Sequence, residues 1–370
     1  MTPAPELYFN SQPLRLAEAP HKFSFSALTA LRQCPRRWQL ENSTYPGLSG
    51  CYPSPYNSRS AQGQVVHALM KELIAWLIQK GSPPLGTREA GEALKSFDFK
   101  TRTDALLERA LVRLRQNPRA WRETGLGIDA LEVRNTVLRL LRSTWEGRTS
   151  PSPQRESHTG DYQTLGECLV EHPTLPLKGI LDLVQIRPDG DWITDYKSGE
   201  MSEAYRDQIA LYGLLWWRAR GRLPALLRVV PVSGRSLEVR PTEPQLLELE
   251  RRLGREIDSW RSQLGRGLVE ARPEPEVCRF CAVRQLCDAY WEAPPLDSHL
   301  IDRELRVTQP RSDASLTAVD GQNREVDVLA EPTFGVSLRQ FPRNSRIRVL
   351  RATLTDETTL TLTRASEIYL

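Results

Sequence analysis

Residues 178–199 read KGILDLVQIRPDGDWITDYKSG, and this stretch decides the fold of the chain. Two apolar runs flank a polar turn at residues 187–191, so the sequence predicts an antiparallel hairpin. Asp182 interrupts the first run, where a carboxylate is costly to bury without a cation or strong hydrogen bonds. On the second run, Asp195 and Lys197 are two residues apart and therefore point to the same face. The turn would bring Asp182 beside Asp195.

Two carboxylates and one ammonium group on one face of a sheet suit the metal-assisted hydrolysis of a phosphodiester. Carboxylate oxygens hold a hard divalent ion such as Mg²⁺, which polarises the phosphoryl oxygen and generates hydroxide at neutral pH. Lys197 would orient the attacking water and offset the charge that develops on the phosphorane. A surface hairpin with a plain ion pair between Asp195 and Lys197 would show the same residues, so further motifs are needed.

The hairpin resembles the core of the PD-(D/E)xK nucleases, and among them the RecB-type nuclease domain. Asp182 matches the first acidic position, and Asp195 and Lys197 match the (D/E)xK element, which implies that all three are catalytic. Downstream, Gln208 and Tyr212 lie at i and i+4 on one face of a predicted helix. They resemble the Q-x-x-x-Y motif of the same group, which implies contact with the nucleic acid.

An upstream segment, Gly63-Gln-Val-Val-His67, resembles the G-x-x-x-H motif of these nucleases. The resemblance implies that His67, Asp182 and Asp195 bind Mg²⁺ or Mn²⁺. Either Glu167 or Glu171, on the strand before Asp182, could match a further acidic position, and the sequence does not choose between them.

The cysteines form a cluster near residue 280. Three of them make a C-x2-C-x5-C run, which needs a fourth ligand from Cys34, Cys51 or Cys168. Four thiolates hold either zinc or an iron-sulfur cluster, and spacing alone does not separate the two. The members of the run are Cys278, Cys281 and Cys287.

The iron-sulfur site of RecB-type nucleases, shared by AddB and the CRISPR-adaptation nucleases, is similar in its cysteine order. It has a Cys-Pro pair near the start of the domain, as at Cys34, and C-x2-C-x5-C at the end. The resemblance implies a [4Fe-4S] cluster, with zinc as the alternative. Cys51 and Cys168 are then expected to be small buried hydrophobic residues. The implied ligands are Cys34, Cys278, Cys281 and Cys287.

Composition sets the limits of the interpretation. A chain of 370 residues exceeds what one core usually organises, and 39% hydrophobic with 26% charged residues excludes a disordered protein. The net charge of +4 excludes nucleic-acid binding through bulk positive charge, so a local patch must meet any anionic partner. With no long apolar run and no signal peptide, we expect a soluble cytoplasmic protein that does not contact a membrane.

The predicted fold is α/β, with a PD-(D/E)xK restriction-endonuclease-like core, a helical insertion and a C-terminal all-β barrel. We expect a flexible tail over residues 1–22, the nuclease domain over 23–291, a linker over 292–298 and the barrel over 299–370. Five short predicted strands fit an OB-like barrel, and a β-sandwich fragment is the rival interpretation. Four arginines are candidates for a single-strand groove, with a solvated face as the alternative: Arg343, Arg346, Arg348 and Arg351.

The function that these motifs predict is a Mg²⁺- or Mn²⁺-dependent deoxyribonuclease. A single-strand-preferring exonuclease in DNA recombination, repair or defence is favoured over a duplex-cutting restriction enzyme, because the four-cysteine motif is typical of end-processing relatives. No G-x4-G-K-[ST] motif occurs, so a helicase or recombination partner would supply any unwinding. The alternatives are a non-catalytic iron-sulfur DNA-binding subunit of a helicase-nuclease complex and a zinc-containing protein-interaction factor. The carboxylates and Lys197 favour the enzyme.

Overall fold

The computed structural model describes residues 12–48, 50–120, 123–145, 163–199, 201–232, 235–292 and 301–370. A five-stranded sheet with helices on both faces comes first along the chain. Strands β3 and β4 run parallel, and the other neighbouring pairs run antiparallel. The strands, in chain order and in spatial order, are β1 (Gln163–Glu171), β2 (Lys178–Ile186), β3 (Trp192–Lys197), β4 (Leu226–Pro231) and β5 (Leu237–Val239).

Helices form two layers on this sheet. The helices are α1 (Phe25–Gln33), α2 (Pro35–Glu41), α3 (Ser58–Gln79), α4 (Arg88–Lys95), α5 (Phe99–Gln116), α6 (Ala130–Thr144), α7 (Ala204–Arg220), α8 (Glu243–Leu264), α9 (Pro275–Cys278) and α10 (Asp288–Glu292). Helices α1, α7 and α8 cover one face, and α3 to α6 cover the other. Helix α7 makes the crossover that a parallel β3–β4 pair requires. None of the helices within the described ranges is long and apolar enough to cross a membrane.

The middle strands are buried on both faces. In β2, Leu181 packs into the layer of α7 and Leu183 into the layer of α3. In β3, Ile193 packs into the layer of α7 and Tyr196 into the layer of α3. Strands covered on both sides are usually continuous apolar runs. A carboxylate within such a strand is therefore an exception that needs a functional or ionic reason.

The helical path of the chain is broken at Cys34. The chain forms two helices, because Pro35 forces the preceding residue out of the helical region: Cys34 has φ −157° and ψ 106°. Pro35 then occupies the first turn of α2, where its missing N–H costs nothing. The break turns the Cys34 thiol away from the helix and toward the C-terminal cysteines.

The expectation of a flexible tail up to residue 22 is wrong for its second half. Leu14 N donates to Thr44 O at 2.8 Å, and Thr44 N donates to Arg15 O at 2.9 Å. Ala17 packs against the core and its N–H donates to Ser43 Oγ. Residues 12–22 are therefore part of the fold, while residues 1–11 of the predicted tail and residues 293–298 of the predicted linker lie outside the described residues.

The C-terminal residues close into a barrel, which confirms that expectation over the sandwich fragment. Strand β6 pairs with β7, β7 with β8, β8 with β10, β10 with β9, and β9 with β6. The β8–β10 pair is parallel. A sixth strand beyond the five predicted, β11, extends the barrel along β9. The strands are β6 (Ile301–Ser312), β7 (Ser315–Val319), β8 (Glu325–Ala330), β9 (Arg346–Asp356), β10 (Thr359–Leu362) and β11 (Glu367–Tyr369).

Buried ion pairs dock the barrel onto the rest of the chain. Arg119, which follows α5, has a side chain only 1% exposed and pairs with Glu367 of β11 at 2.7 Å. The same guanidinium donates to the carbonyl oxygens of Pro53 and Ala282. Arg284, beside the cysteine cluster, pairs with Asp302 of β6 at 2.6 Å.

The predicted single-strand groove of four arginines is not present as one surface. Arg348 is buried and donates to Gln285 O at 2.5 Å, so it belongs to the docking interface. Arg351 pairs with Glu367 at 3.0 Å, and Arg346 pairs with Glu304 at 2.5 Å. These arginines neutralise carboxylates of the protein itself, because the strand that carries them lies between β6 and the docking interface.

The Glu367 carboxylate makes stability depend on pH. Although burial opposes it, Arg119 and Arg351 lower the pKa of Glu367 from 4.5 to about 2. The folded state therefore gains stability that is complete above pH 4.5 and is lost as the pH falls toward 2, by up to about 3 kcal/mol. We expect the difference in unfolding free energy between wild type and Glu367→Gln to shrink from pH 6 to pH 3. Urea denaturation at both pH values measures it, and a difference that stays constant would contradict the assignment.

Candidate active site

The hairpin of β2 and β3 places the predicted catalytic residues together. The register pairs Leu183 with Thr194, so the next position sets Asp182 opposite Asp195. Asp182 Oδ2 accepts a hydrogen bond from the backbone N–H of Tyr196 at 2.8 Å. Lys197 Nζ lies 2.6 Å from Asp195 Oδ2.

Helix α3 brings His67 to the same place. His67 Nδ1 lies 3.9 Å from Asp182 Oδ2. One turn earlier, a Cβ at Gly63 would lie 2.4 Å from Ser198 Oγ and 3.0 Å from Ser198 Cβ. The glycine therefore lets α3 pack directly on the residue that follows Lys197, and this contact sets the position of His67.

Gly63→Ala is expected to impair the site although alanine favours helix formation. Ser198 can rotate its hydroxyl away, but its Cβ stays too close, so α3 must shift and move His67 away from Asp182. We expect divalent-metal affinity to fall about tenfold, as for changes that reorient a metal ligand. Isothermal titration with Mn²⁺ measures it. The double variant Gly63→Ala/Ser198→Gly removes the obstructing atoms and should recover most of the affinity, whereas an equal loss in both variants would refute the packing explanation.

The structure chooses between the two candidate glutamates. Glu171 forms an exposed ion pair with Lys22. Gly166 pairs with Leu183 and Cys168 with Leu181, so Glu167 lies opposite Asp182. Its negative charge raises the pKa values of both Asp182 and His67, although burial is the larger influence on each.

The backbone of Glu167 is in the left-handed region, with φ +44°. This conformation costs a residue with a side chain about 1–3 kcal/mol and is concentrated at functional sites. Glu167 also pairs with Lys71 of α3, one turn after His67. No sequence pattern predicts a left-handed glutamate, so the residue could not be selected before the structure was known.

The electrostatics of the acidic pair favour a bound cation. Burial raises the pKa of Asp182 and of Asp195, and the Asp182 charge raises that of Asp195 further. Burial lowers the pKa of His67, which keeps the imidazole neutral and able to bind a metal. Asp195 Oδ2 is buried, and the Lys197 ammonium group 2.6 Å away is the cation that compensates its charge.

These donors fit a hard divalent ion such as Mg²⁺ or Mn²⁺ in type, since carboxylate oxygens predominate. The positions of these side chains, however, do not form a coordination shell in this structure. Across the described ranges, no group of three or more His, Cys, Asp or Glu side chains is arranged to hold a metal ion. The ammonium group of Lys197 neutralises Asp195 in this arrangement.

The predicted substrate residues on α7 share a hydrogen bond. Gln208 Nε2 donates to Tyr212 Oη at 2.8 Å. Tyr212 is 8% exposed, and a Cβ at Gly179 would lie 2.9 Å from its ring. Gln208 is half-buried. Of the two residues, Gln208 is therefore the one that can reach a substrate, and Tyr212 holds the Gln208 side chain in place.

The four predicted cysteine ligands line one cavity between α1–α2 and α9–α10. Burial raises the pKa values of the C-terminal thiols, and the backbone N–H of Arg272 points to Cys34 Sγ at 3.4 Å. Arginines also line the cavity and could offset thiolate charge: Arg36, Arg37, Arg272 and Arg284. The cavity fits a four-thiolate group in donor type and number.

The other two cysteines correct an expectation. Cys51 is exposed and Cys168 is half-buried, so neither is a buried hydrophobic residue. Cys51 lies in the loop after α2, with its thiol 3.5 Å from Asn42 Oδ1. Neither lines the cavity that the other four share.

Comparison with known proteins agrees with this geometry. No curated protein matches the chain significantly. The family model described as the PD-(D/E)XK nuclease superfamily matches residues 22–288, which is more than half of the sequence and contains every candidate site residue described above. The chain belongs to the PD-(D/E)XK nuclease superfamily.

Proposed function

We propose that this protein is a divalent-metal-dependent deoxyribonuclease that hydrolyses phosphodiester bonds. The observation that carries the proposal is the convergence of Asp182, Asp195 and Lys197 from one hairpin with His67 from α3. Buried carboxylates beside a lysine would serve no purpose in a site that only binds a polyanion, because they repel it. Glu167 completes the acidic cluster.

In this proposal His67, Asp182 and Asp195 hold Mg²⁺ or Mn²⁺. The ion would supply an activated water and polarise the phosphoryl oxygen. Lys197, held beside Asp195 in a buried setting, would orient the water and neutralise charge on the phosphate oxygens. Gln208 would contact the strand and Tyr212 would fix its rotamer.

We further propose a RecB-type, AddB-like exonuclease that prefers single-stranded DNA and acts in recombination, repair or defence with a helicase partner. Support comes from the order of the motifs and from the barrel. A closed barrel of five strands with a parallel β8–β10 pair is compatible with an OB-like module, a fold that binds single strands. The free cysteines fit a reducing compartment such as the cytoplasm.

The cavity shared by Cys34, Cys278, Cys281 and Cys287 supports a [4Fe-4S] cluster, with zinc as the second candidate. A cluster spreads its thiolates more widely than a single zinc ion does, which agrees with four thiols placed around one cavity. Iron, sulfide and zinc content of anaerobically purified protein decides between them. Stoichiometric zinc without iron would exclude the cluster.

The proposed activity is tested with labelled single-stranded DNA, linear and circular, in Mg²⁺, in Mn²⁺ and in EDTA. An exonuclease degrades the linear form and leaves the circle intact, and EDTA stops the reaction. Cleavage of the circular form would show that the protein is an endonuclease and not an exonuclease. DNA binding without cleavage in either metal would favour the non-catalytic subunit instead.

A further inference from the structure

An exposed apolar pair lies next to the candidate active site. Leu169 of β1 and Ile180 of β2 are 60% and 53% exposed and are direct cross-strand partners. The other large aliphatic residues in the same strands are buried, like Leu181, or partly buried, like Leu165 and Ile186. We call Leu169 and Ile180 the apolar shelf.

The shelf lies beside Asp182 and Glu167, on the side of the sheet that α3 approaches. Leu181 and Val170 pack into the α7 layer, so their neighbours Ile180 and Leu169 point to the opposite side. From that side, His67 and Lys71 of α3 reach Asp182 and Glu167. The next pair outward on that face is Glu171 and Lys178. Glu171 is paired with Lys22, which leaves the Lys178 ammonium as an exposed cation at the edge of the shelf.

The hairpin end that carries the shelf is held rigidly. Phe23 N donates to Pro176 O at 2.7 Å, and Lys178 N donates to Phe23 O at 3.0 Å. In the turn, His172 Nδ1 accepts from the N–H groups of Thr174 and Leu175, and its Nε2 lies 2.9 Å from Glu250 of α8. The shelf therefore keeps its shape without a partner of its own.

We infer that the apolar shelf receives the base of an unpaired nucleotide next to the scissile phosphate, with Lys178 at the neighbouring phosphate. This inference rests on the proposed nuclease function and names where the strand lies. A nucleobase has an apolar face that suits two aliphatic side chains, and the flanking phosphate suits the cation. A duplex would keep its bases stacked and could not offer that face, so the shelf selects for single strands.

The test uses the variant Leu169→Thr/Ile180→Thr, because threonine is polar yet favours strands. Binding of a labelled single-stranded oligonucleotide is measured by anisotropy in Ca²⁺, in an Asp195→Asn background that does not cleave. We expect affinity to fall about tenfold, in line with the apolar area that the shelf can cover. Leu223→Thr, just after the C-terminal end of α7 and 38% exposed, is the matched control and should bind like the parent.

A scan with single abasic sites identifies the contact. For the parent, one abasic position should weaken binding more than its neighbours do, and in the shelf variant that position should lose its special effect. Identical abasic profiles for parent and variant would overturn the inference. So would parent protein that does not bind single strands, or sedimentation showing that the shelf instead joins two copies of the chain.

The two proposals fail in different ways. If the nuclease function is wrong but the strand path is right, wild type binds with the position-dependent abasic profile and cleaves in neither metal. If the nuclease function is right and the shelf is wrong, wild type and Leu169→Thr/Ile180→Thr cleave with the same KM. The expected result is a KM raised about tenfold with kcat within a factor of two. The reason is that the shelf would bind the substrate equally in the ground state and in the transition state.

Discussion

Asp195→Asn is expected to reduce metal-dependent DNA cleavage by about 10³-fold or more, a loss equivalent to ~4 kcal/mol of transition-state stabilisation. Asparagine has the shape of aspartate but carries no charge, so it binds a divalent ion weakly and leaves Lys197 without its partner at 2.6 Å. Single-turnover cleavage of labelled single-stranded DNA in Mn²⁺ measures the effect. Mn²⁺ titration of the same variant should show a parallel loss of affinity.

Glu171→Gln is the matched control for this prediction. It removes a carboxylate from the same sheet, but from an exposed pair with Lys22 rather than from the acidic cluster. Its cleavage rate should stay within about twofold of wild type. Both variants should unfold within about 3 °C of wild type, roughly 1 kcal/mol. An Asp195→Asn enzyme that cleaves at the wild-type rate would remove the acidic pair from the mechanism.

Arg119→Met is expected to weaken the docking of the barrel by about 3–5 kcal/mol, the cost of breaking a buried ion pair by removing one partner. Methionine fills part of the space but leaves the buried Glu367 carboxylate with Arg351 in place of two cations, and it removes the Arg119 donor from the carbonyl oxygens of Pro53 and Ala282. Hydrogen exchange of the amides in β9 and β11 reports this local opening. We expect their protection to fall while that of β2 and β3 is unchanged.

Arg88→Met provides the comparison. Arg88 pairs with Glu92 on the surface of α4 and has a side chain 88% exposed, so its removal should cost at most about 0.5 kcal/mol. If Arg119→Met were equally mild, the other contacts of the barrel would suffice to hold it, among them its apolar contacts, the pair of Arg284 with Asp302 and the hydrogen bond from Arg348 to Gln285 O. A loss of protection in β2 and β3 as well would show that the barrel and the sheet unfold as one unit.

The hairpin of the candidate site could be predicted from the amino-acid sequence alone. Asp182, Asp195 and Lys197 could be placed on one face because strand periodicity and a short turn are local properties of the chain. The superfamily followed from these residues and from the spacing of His67 and Gln208 around them. The closed barrel was also predicted from local strand patterns. The helix break at Cys34 is predictable in the same way, because Pro35 restricts the backbone of the preceding residue in any tertiary context.

Only the tertiary structure decided which of the remaining charged residues serve the site. Glu167 and Glu171 are alike in sequence, and the backbone at φ +44° together with the register opposite Asp182 separates them. Arg348 and Arg351 resemble a nucleic-acid groove in sequence but neutralise carboxylates at the barrel interface. The physical reason is common to both cases. The role of a charged side chain depends on the group that it contacts in the folded protein. When that group is distant in sequence, only the structure identifies it.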